Sequence, residues 1–200
     1  MNLANKLTIL RIILVPIMVI IPFFGIKGEI FGVQISWVIV DLIFVIAAIT
    51  DKLDGYIARS RNQVTTFGKF LDPIADKIVV LAAMIMLVQD GRLYAWIPIV
   101  VLFREFIVSG YRLIAVEKGG KVIAASIWGK LKTVTQMLAI TIALVDVNPY
   151  WSCFSEKGLT GIPFTINIAA TVLMTISIIA TIFSGYDYIK NGKDLFKENN

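Results

Sequence analysis

The apolar and polar positions along the chain fall into six long apolar runs separated by short polar breaks, at about residues 9–26, 33–58, 68–89, 93–117, 122–146 and 162–189. A helix needs about 20 apolar residues to cross a hydrocarbon layer of roughly 30 Å, and each run is near that length. The first run follows a short amphipathic start, MNLANKLTILR. Lys6 and Arg11 ahead of an apolar stretch could open a secretory signal, but IPFFGIKGE offers no small-residue cleavage site, so this run reads as a membrane helix. The longest break, VNPYWSCFSEKGLTG, leaves no room for a separate folded unit. The pattern predicts an all-α integral membrane protein, six transmembrane helices with a short N-terminal amphipathic segment, forming one domain over residues 1–200.

Composition strengthens that reading. Of 200 residues 58% are hydrophobic and 16% charged, whereas a soluble domain stays near about 45–50% apolar. A compact globule of this size could not hide the excess from water, which excludes a soluble enzyme. With no histidine and one cysteine, Cys153, the chain cannot build His-activated nucleophiles or the usual zinc, haem and iron–sulfur sites. A metal here must take oxygen ligands, which points to Mg²⁺, Mn²⁺ or Ca²⁺.

Charge gives an orientation. Of the 19 basic residues, all but Lys27, Arg92 and Lys157 fall on one side when alternate loops and helix ends are assigned to two faces. The positive-inside rule then places both termini and the 51–77 segment in the cytoplasm of a multi-pass cell-membrane protein. The net charge of +5 is thus a feature of one membrane face, suited to anionic headgroups and phosphates, and not a nucleic-acid footprint.

Asp51 and Asp54 in TDKLDGYIAR and Asp72 and Asp76 in GKFLDPIADK lie at the cytoplasmic ends of the second and third runs. Spacings of three and four put each pair on one helix face, and the short link between them makes the helices antiparallel neighbours. Four carboxylates facing one another near lipid require neutralisation, which two divalent cations, Mg²⁺ or Mn²⁺, would supply. The plainer alternative pairs them with Lys52, Arg59, Lys69 and Lys77. Gly55 and Ala58 are small and would let a phosphate or nucleotide approach the backbone, with Arg59 as a fork-shaped phosphate donor. Gly68 would permit close helix packing beneath the metals.

Residues 51–76 read D-x2-D-G-x2-A-R-x8-G-x3-D-x3-D. This resembles, at every specified position, the signature of the CDP-alcohol phosphotransferase family. NKLTILR at 5–11 is similar to that family's N-terminal segment, and REFIVSGYRLIAVEKGGKVIAASIWGKLKT at 104–133 is similar to its phosphatidylglycerophosphate-forming branch. The resemblance implies that Asp51, Asp54 and Asp72 hold the two metals, with Asp76 as a further ligand and general base. It implies that Thr8 joins Gly55, Ala58 and Arg59 in a CDP pocket. It further implies transfer of a phosphatidyl group from CDP-diacylglycerol to sn-glycerol 3-phosphate, with release of CMP, by a homodimer.

An acceptor that carries a phosphate needs cations of its own. Arg112 and Lys130 are expected to grip it, with Ser126 as a hydrogen-bond donor. Arg104 and Glu105 lie deep in the fourth run, roughly 18 Å from its inner end at 1.5 Å per residue, where charges either serve a site or pair with each other. Arg104 is thus open to both roles, while Lys118, Lys121 and Lys132 are assigned to lipid headgroups. Relatives using inositol, serine or a second phosphatidylglycerol would share the metal motif, although an uncharged or zwitterionic acceptor would not call for Arg112 and Lys130. Membrane prenyltransferases also pair aspartates with Mg²⁺ but lack DGxxAR. A transporter would place its carboxylates at a midplane site between broken helices, which this pattern lacks.

Overall fold

The computed structural model describes residues 3–60, 66–117, 126–154 and 159–192. Among them are six α-helices: α1 (Leu3–Ile20), α2 (Ile35–Ser60), α3 (Thr66–Gln89), α4 (Trp96–Glu117), α5 (Ile127–Val145) and α6 (Gly161–Asn191). A two-residue-per-strand hairpin, β1 (Glu29–Ile30) and β2 (Val33–Gln34), precedes α2, with Ile30 opposite Val33.

The elements follow the apolar runs, with informative differences at the ends. The amphipathic start is not a separate segment: from Leu3 onward it is the first turns of α1, and its polar side chains Asn5, Thr8 and Arg11 turn inward. That helix stops at Ile20, before the run does. A 3-10 turn over Ile21–Phe24 follows, with Pro22 at its start and Gly25 closing it at φ +58°, a left-handed conformation that glycine adopts without penalty. α5 starts at Ile127, where the Ser126 hydroxyl accepts from the Gly129 N–H at 3.3 Å and caps the helix.

α1 packs against α2 and α3, α5 lies along α6, and α4 also packs on α6, while α2 reaches α5. The shared core includes Met18, Val40, Phe44, Met84, Leu87, Ile140 and Leu144. Every helix also leaves an apolar stripe exposed at helical spacing, such as Leu42, Ile46, Ile49 and Leu53 on α2 and Ile127, Leu131, Val134 and Leu138 on α5. Buried polar residues face the other way: Thr8, Arg11, Lys132, Gln136, Thr171, Ser177 and Ser184. Such an inverted distribution suits a lipid solvent. Among the described residues two helices, Asn5–Phe24 and Gly161–Lys190, are long and apolar enough to cross a membrane by composition alone.

One end of the bundle is tied by Arg92, in the α3–α4 turn. Its guanidinium pairs with Asp90 at 2.5 Å, donates to the Leu144 and Asp146 carbonyls at 3.0 and 2.9 Å, and lies 3.9 Å over the Trp37 ring. Nearby, Asn167 of α6 donates to Asp146 at 2.7 Å and accepts from the Cys153 N–H at 2.8 Å. This polar seam locks α5 and α6 together and leaves the chemistry to the opposite end.

Candidate active site

The opposite end opens into a cleft walled by α2, α3 and α4 and floored by α5. Its wide part, a cavity of about 760 Å³, is lined by Asp51, Asp72, Asp76, Lys77, Arg104, Glu105 and Arg112 among others. A narrower cavity of about 200 Å³ shares Asp76, Lys77, Arg104, Glu105 and Arg112 and continues to Gly129, Lys132, Thr133 and Gln136. The cleft therefore has a carboxylate end and a basic end, and Asp76 borders both.

At the carboxylate end, helix periodicity brings Asp72 and Asp76 onto one face of α3, with Asp51 across from them on α2. Two side chains of α1 reach in from behind. Thr8 donates to Asp72 Oδ1 at 2.7 Å, and Arg11 pairs with Asp51 Oδ1 at 2.7 Å. Thr8 and Arg11 are each only 1% exposed, so α1 holds both carboxylates from the protein side. Three of the four predicted aspartates thus share one cavity. The side chain of Asp54 lies outside the described residues, as do those of Gly55, Ala58 and Arg59, whose backbone continues α2.

The donor set is all oxygen and all carboxylate, which fits a hard divalent cation and does not fit zinc or copper. Thr8 and Arg11 each engage the Oδ1 oxygen of their aspartate. Among the described residues, which omit the Asp54 side chain, no three acidic, His or Cys side chains are drawn together into a closed metal cage. The carboxylates thus fit a cation in chemistry and in facing one cavity.

At the basic end Glu105 is the hub. Its Oε1 accepts from Lys132 at 2.6 Å and from Arg104 at 2.9 Å, and its Oε2 lies 3.9 Å from Lys77. Lys77 also donates to the Ser109 hydroxyl at 2.5 Å. With Arg112, four cationic side chains line the shared and narrow parts against two carboxylates, Glu105 and Asp76, a local excess of positive charge. An excess of that kind beside a low-dielectric wall attracts anions. Arg104 pairs with Glu105 and also lines the cavity.

Of the residues expected to grip the acceptor phosphate, Arg112 lines the cleft, whereas Ser126 and Lys130 do not: Ser126 caps α5 and Lys130 is exposed. The lysine that does enter is Lys132, 7% exposed, which the sequence reading gave to lipid headgroups. On the sequence Arg11 belongs to the topology signal and to the NKLTILR segment, with no site role of its own. The clue for both was available: each belongs to a stripe of small and polar residues, Asn5–Thr8–Arg11 on α1 and Gly129–Lys132–Gln136 on α5, lying opposite an apolar stripe.

Comparison with known proteins adds an independent line. The family model described as CDP-alcohol phosphatidyltransferase matches residues 1–183. The chain is 38% identical, over 204 aligned positions covering all of it and 99% of the relative, to the Bacillus subtilis protein named CDP-diacylglycerol--glycerol-3-phosphate 3-phosphatidyltransferase. A Haemophilus influenzae protein of the same name is 39% identical over 99% of this chain and 97% of its own length. A Mycobacterium tuberculosis protein named probable phosphatidylglycerophosphate synthase is 37% identical over 94% of this chain and 80% of its own.

Proposed function

Because the chain belongs to the CDP-alcohol phosphatidyltransferase family, we propose that it transfers the phosphatidyl group of CDP-diacylglycerol to sn-glycerol 3-phosphate. The products are phosphatidylglycerophosphate and CMP, a step of phospholipid biosynthesis. The observation that carries this reading is the cleft itself, with carboxylates at one end, an excess of cationic side chains at the other and Asp76 on the border of both.

In this reading Asp51, Asp54, Asp72 and Asp76 hold two divalent cations, Mg²⁺ or Mn²⁺. When bound, the cations supply electrostatic stabilisation for the diphosphate and the departing CMP. Thr8, Gly55, Ala58 and Arg59 line the CDP pocket, and Thr8 also sets the Asp72 carboxylate. Arg104, Arg112 and Lys132 take the acceptor's phosphate, while Ser126 and Lys130 stand at the start of α5. That grip directs the acceptor's primary hydroxyl toward Asp76, which takes its proton as the oxygen attacks the phosphorus bearing diacylglycerol. The new O–P bond forms as the bond from that phosphorus to the CMP oxygen breaks.

The protein is one multi-pass domain with six spans, both termini and the cleft facing the cytoplasm, working as a homodimer among membrane lipids. The outward apolar stripes on all six helices support the spans, and the clustering of basic residues supports the orientation.

Removal of divalent cations from the purified protein is expected to stop CMP release from CDP-diacylglycerol, and Mg²⁺ or Mn²⁺ to restore it. Asp51→Asn and Asp72→Asn are each expected to lower turnover by about a hundredfold or more while the protein still inserts in membranes. Activity retained in both variants refutes a metal site built on these carboxylates.

A further inference from the structure

The long helix α6 carries no charge before Asp187, and its sequence reads as a packing or lipid-facing element. The structure gives part of it another task. Ser184 and Tyr188, four residues apart and so on one face, are 0% and 2% exposed, and each meets an arginine of the basic end. Arg104 Nη2 donates to Ser184 Oγ at 2.5 Å, and Arg112 Nη2 donates to Tyr188 Oη at 3.0 Å. The guanidinium carbons of Arg104 and Arg112 both lie 5.8 Å from the centre of the Tyr188 ring, within reach of a cation–π attraction.

Glycines clear the path for one of these arginines. A Cβ placed on Gly129 would come within 3.3 Å of Arg104 Nη2 and 3.5 Å of Ser184 Oγ, and one on Gly185 within 3.6 Å of Arg104 Cγ. The Arg104 side chain therefore lies against α6 at Gly185 and against α5 at Gly129.

We infer that Ser184 and Tyr188 are positioning residues for the acceptor: they fix the two guanidiniums in the forked arrangement that receives a phosphate dianion, Ser184 through Arg104 and Tyr188 through both. An arginine has a long flexible stem, and ordering it on binding weakens affinity, so a side chain already pinned binds its anion more tightly. Neither residue lines the cleft, so the effect passes through the arginines. The inference rests on the reading of the basic end as the site of the acceptor phosphate.

Initial-rate kinetics of the full chain, with CDP-diacylglycerol and glycerol 3-phosphate varied separately, test it on Tyr188→Phe and Ser184→Ala, with Arg112→Gln alongside. Tyr188→Phe keeps the buried ring and removes only the oxygen that Arg112 uses. Each α6 variant is expected to raise the KM for glycerol 3-phosphate by roughly tenfold, the usual scale for losing a hydrogen bond to a charged group, with kcat, the KM for CDP-diacylglycerol and the melting temperature unchanged. A rise shared equally by both substrates, or a lowered melting temperature with no change in the acceptor KM, overturns the inference. If Arg112→Gln raises the acceptor KM and neither α6 variant does, positioning by α6 fails and the pocket assignment stands. If Arg112→Gln also leaves that KM unchanged, the pocket assignment itself falls.

Discussion

Lys130 and Lys132 differ by two positions on one helix, and that difference decides which of them enters the cleft. Residues two apart point to different sides of a helix. Lys132 is buried and bonded to Glu105 at 2.6 Å, whereas Lys130 is exposed. Lys132→Gln is therefore expected to raise the KM for glycerol 3-phosphate by about 10- to 100-fold, the range for a hydrogen bond to a charged group, and Lys130→Gln to change it far less. Measuring both variants against both substrates settles the point, and a larger effect from Lys130 would reverse the assignment. The aspartates were legible in sequence because spacings of three and four fix a shared face without reference to any other helix. Lys132 was harder to read, because its role depends on which side of α5 packs inward. Its stripe-mates Gly129 and Gln136 carry that information only if polar positions are taken to face the interior, the reverse of the rule for a protein in water.

At the scale of elements, the apolar runs locate all six helices, and the ends are set by local chemistry: Pro22 and Gly25 beyond α1, and the Ser126 cap before α5. The sequence does not reveal which helices lean on which, since contacts between elements depend on side chains far apart in the chain. The use of α1 to hold Asp51 and Asp72 from behind, and of α6 to hold Arg104 and Arg112, follows from such contacts. Arg92 shows the same dependence at the other end. It satisfies carbonyls left over at the end of α5, pairs with Asp90 and covers Trp37. Arg92→Met is expected to destabilise the fold by about 2–4 kcal/mol through unsatisfied buried carbonyls and the lost ion pair. The readout is a lower midpoint of thermal denaturation in detergent with both KM values unchanged. An unaltered midpoint would show that α5 does not need this tie.

Over the whole molecule, scarce charge is concentrated where it acts. A chain that is 16% charged places three aspartates, Glu105 and an adjoining set of lysines and arginines around one cleft. Apolar side chains make the exposed stripe on every helix. The chain belongs to the CDP-alcohol phosphatidyltransferase family, and the name shared by two of its relatives contains two phosphate-bearing compounds, CDP-diacylglycerol and glycerol 3-phosphate. In the proposed function the basic end selects an acceptor bearing a phosphate. The most direct test of that selection is CMP release by the purified protein given CDP-diacylglycerol, a divalent cation and, in turn, glycerol 3-phosphate, inositol and serine. Release with glycerol 3-phosphate alone is the predicted result; equal release with serine or inositol would contradict it.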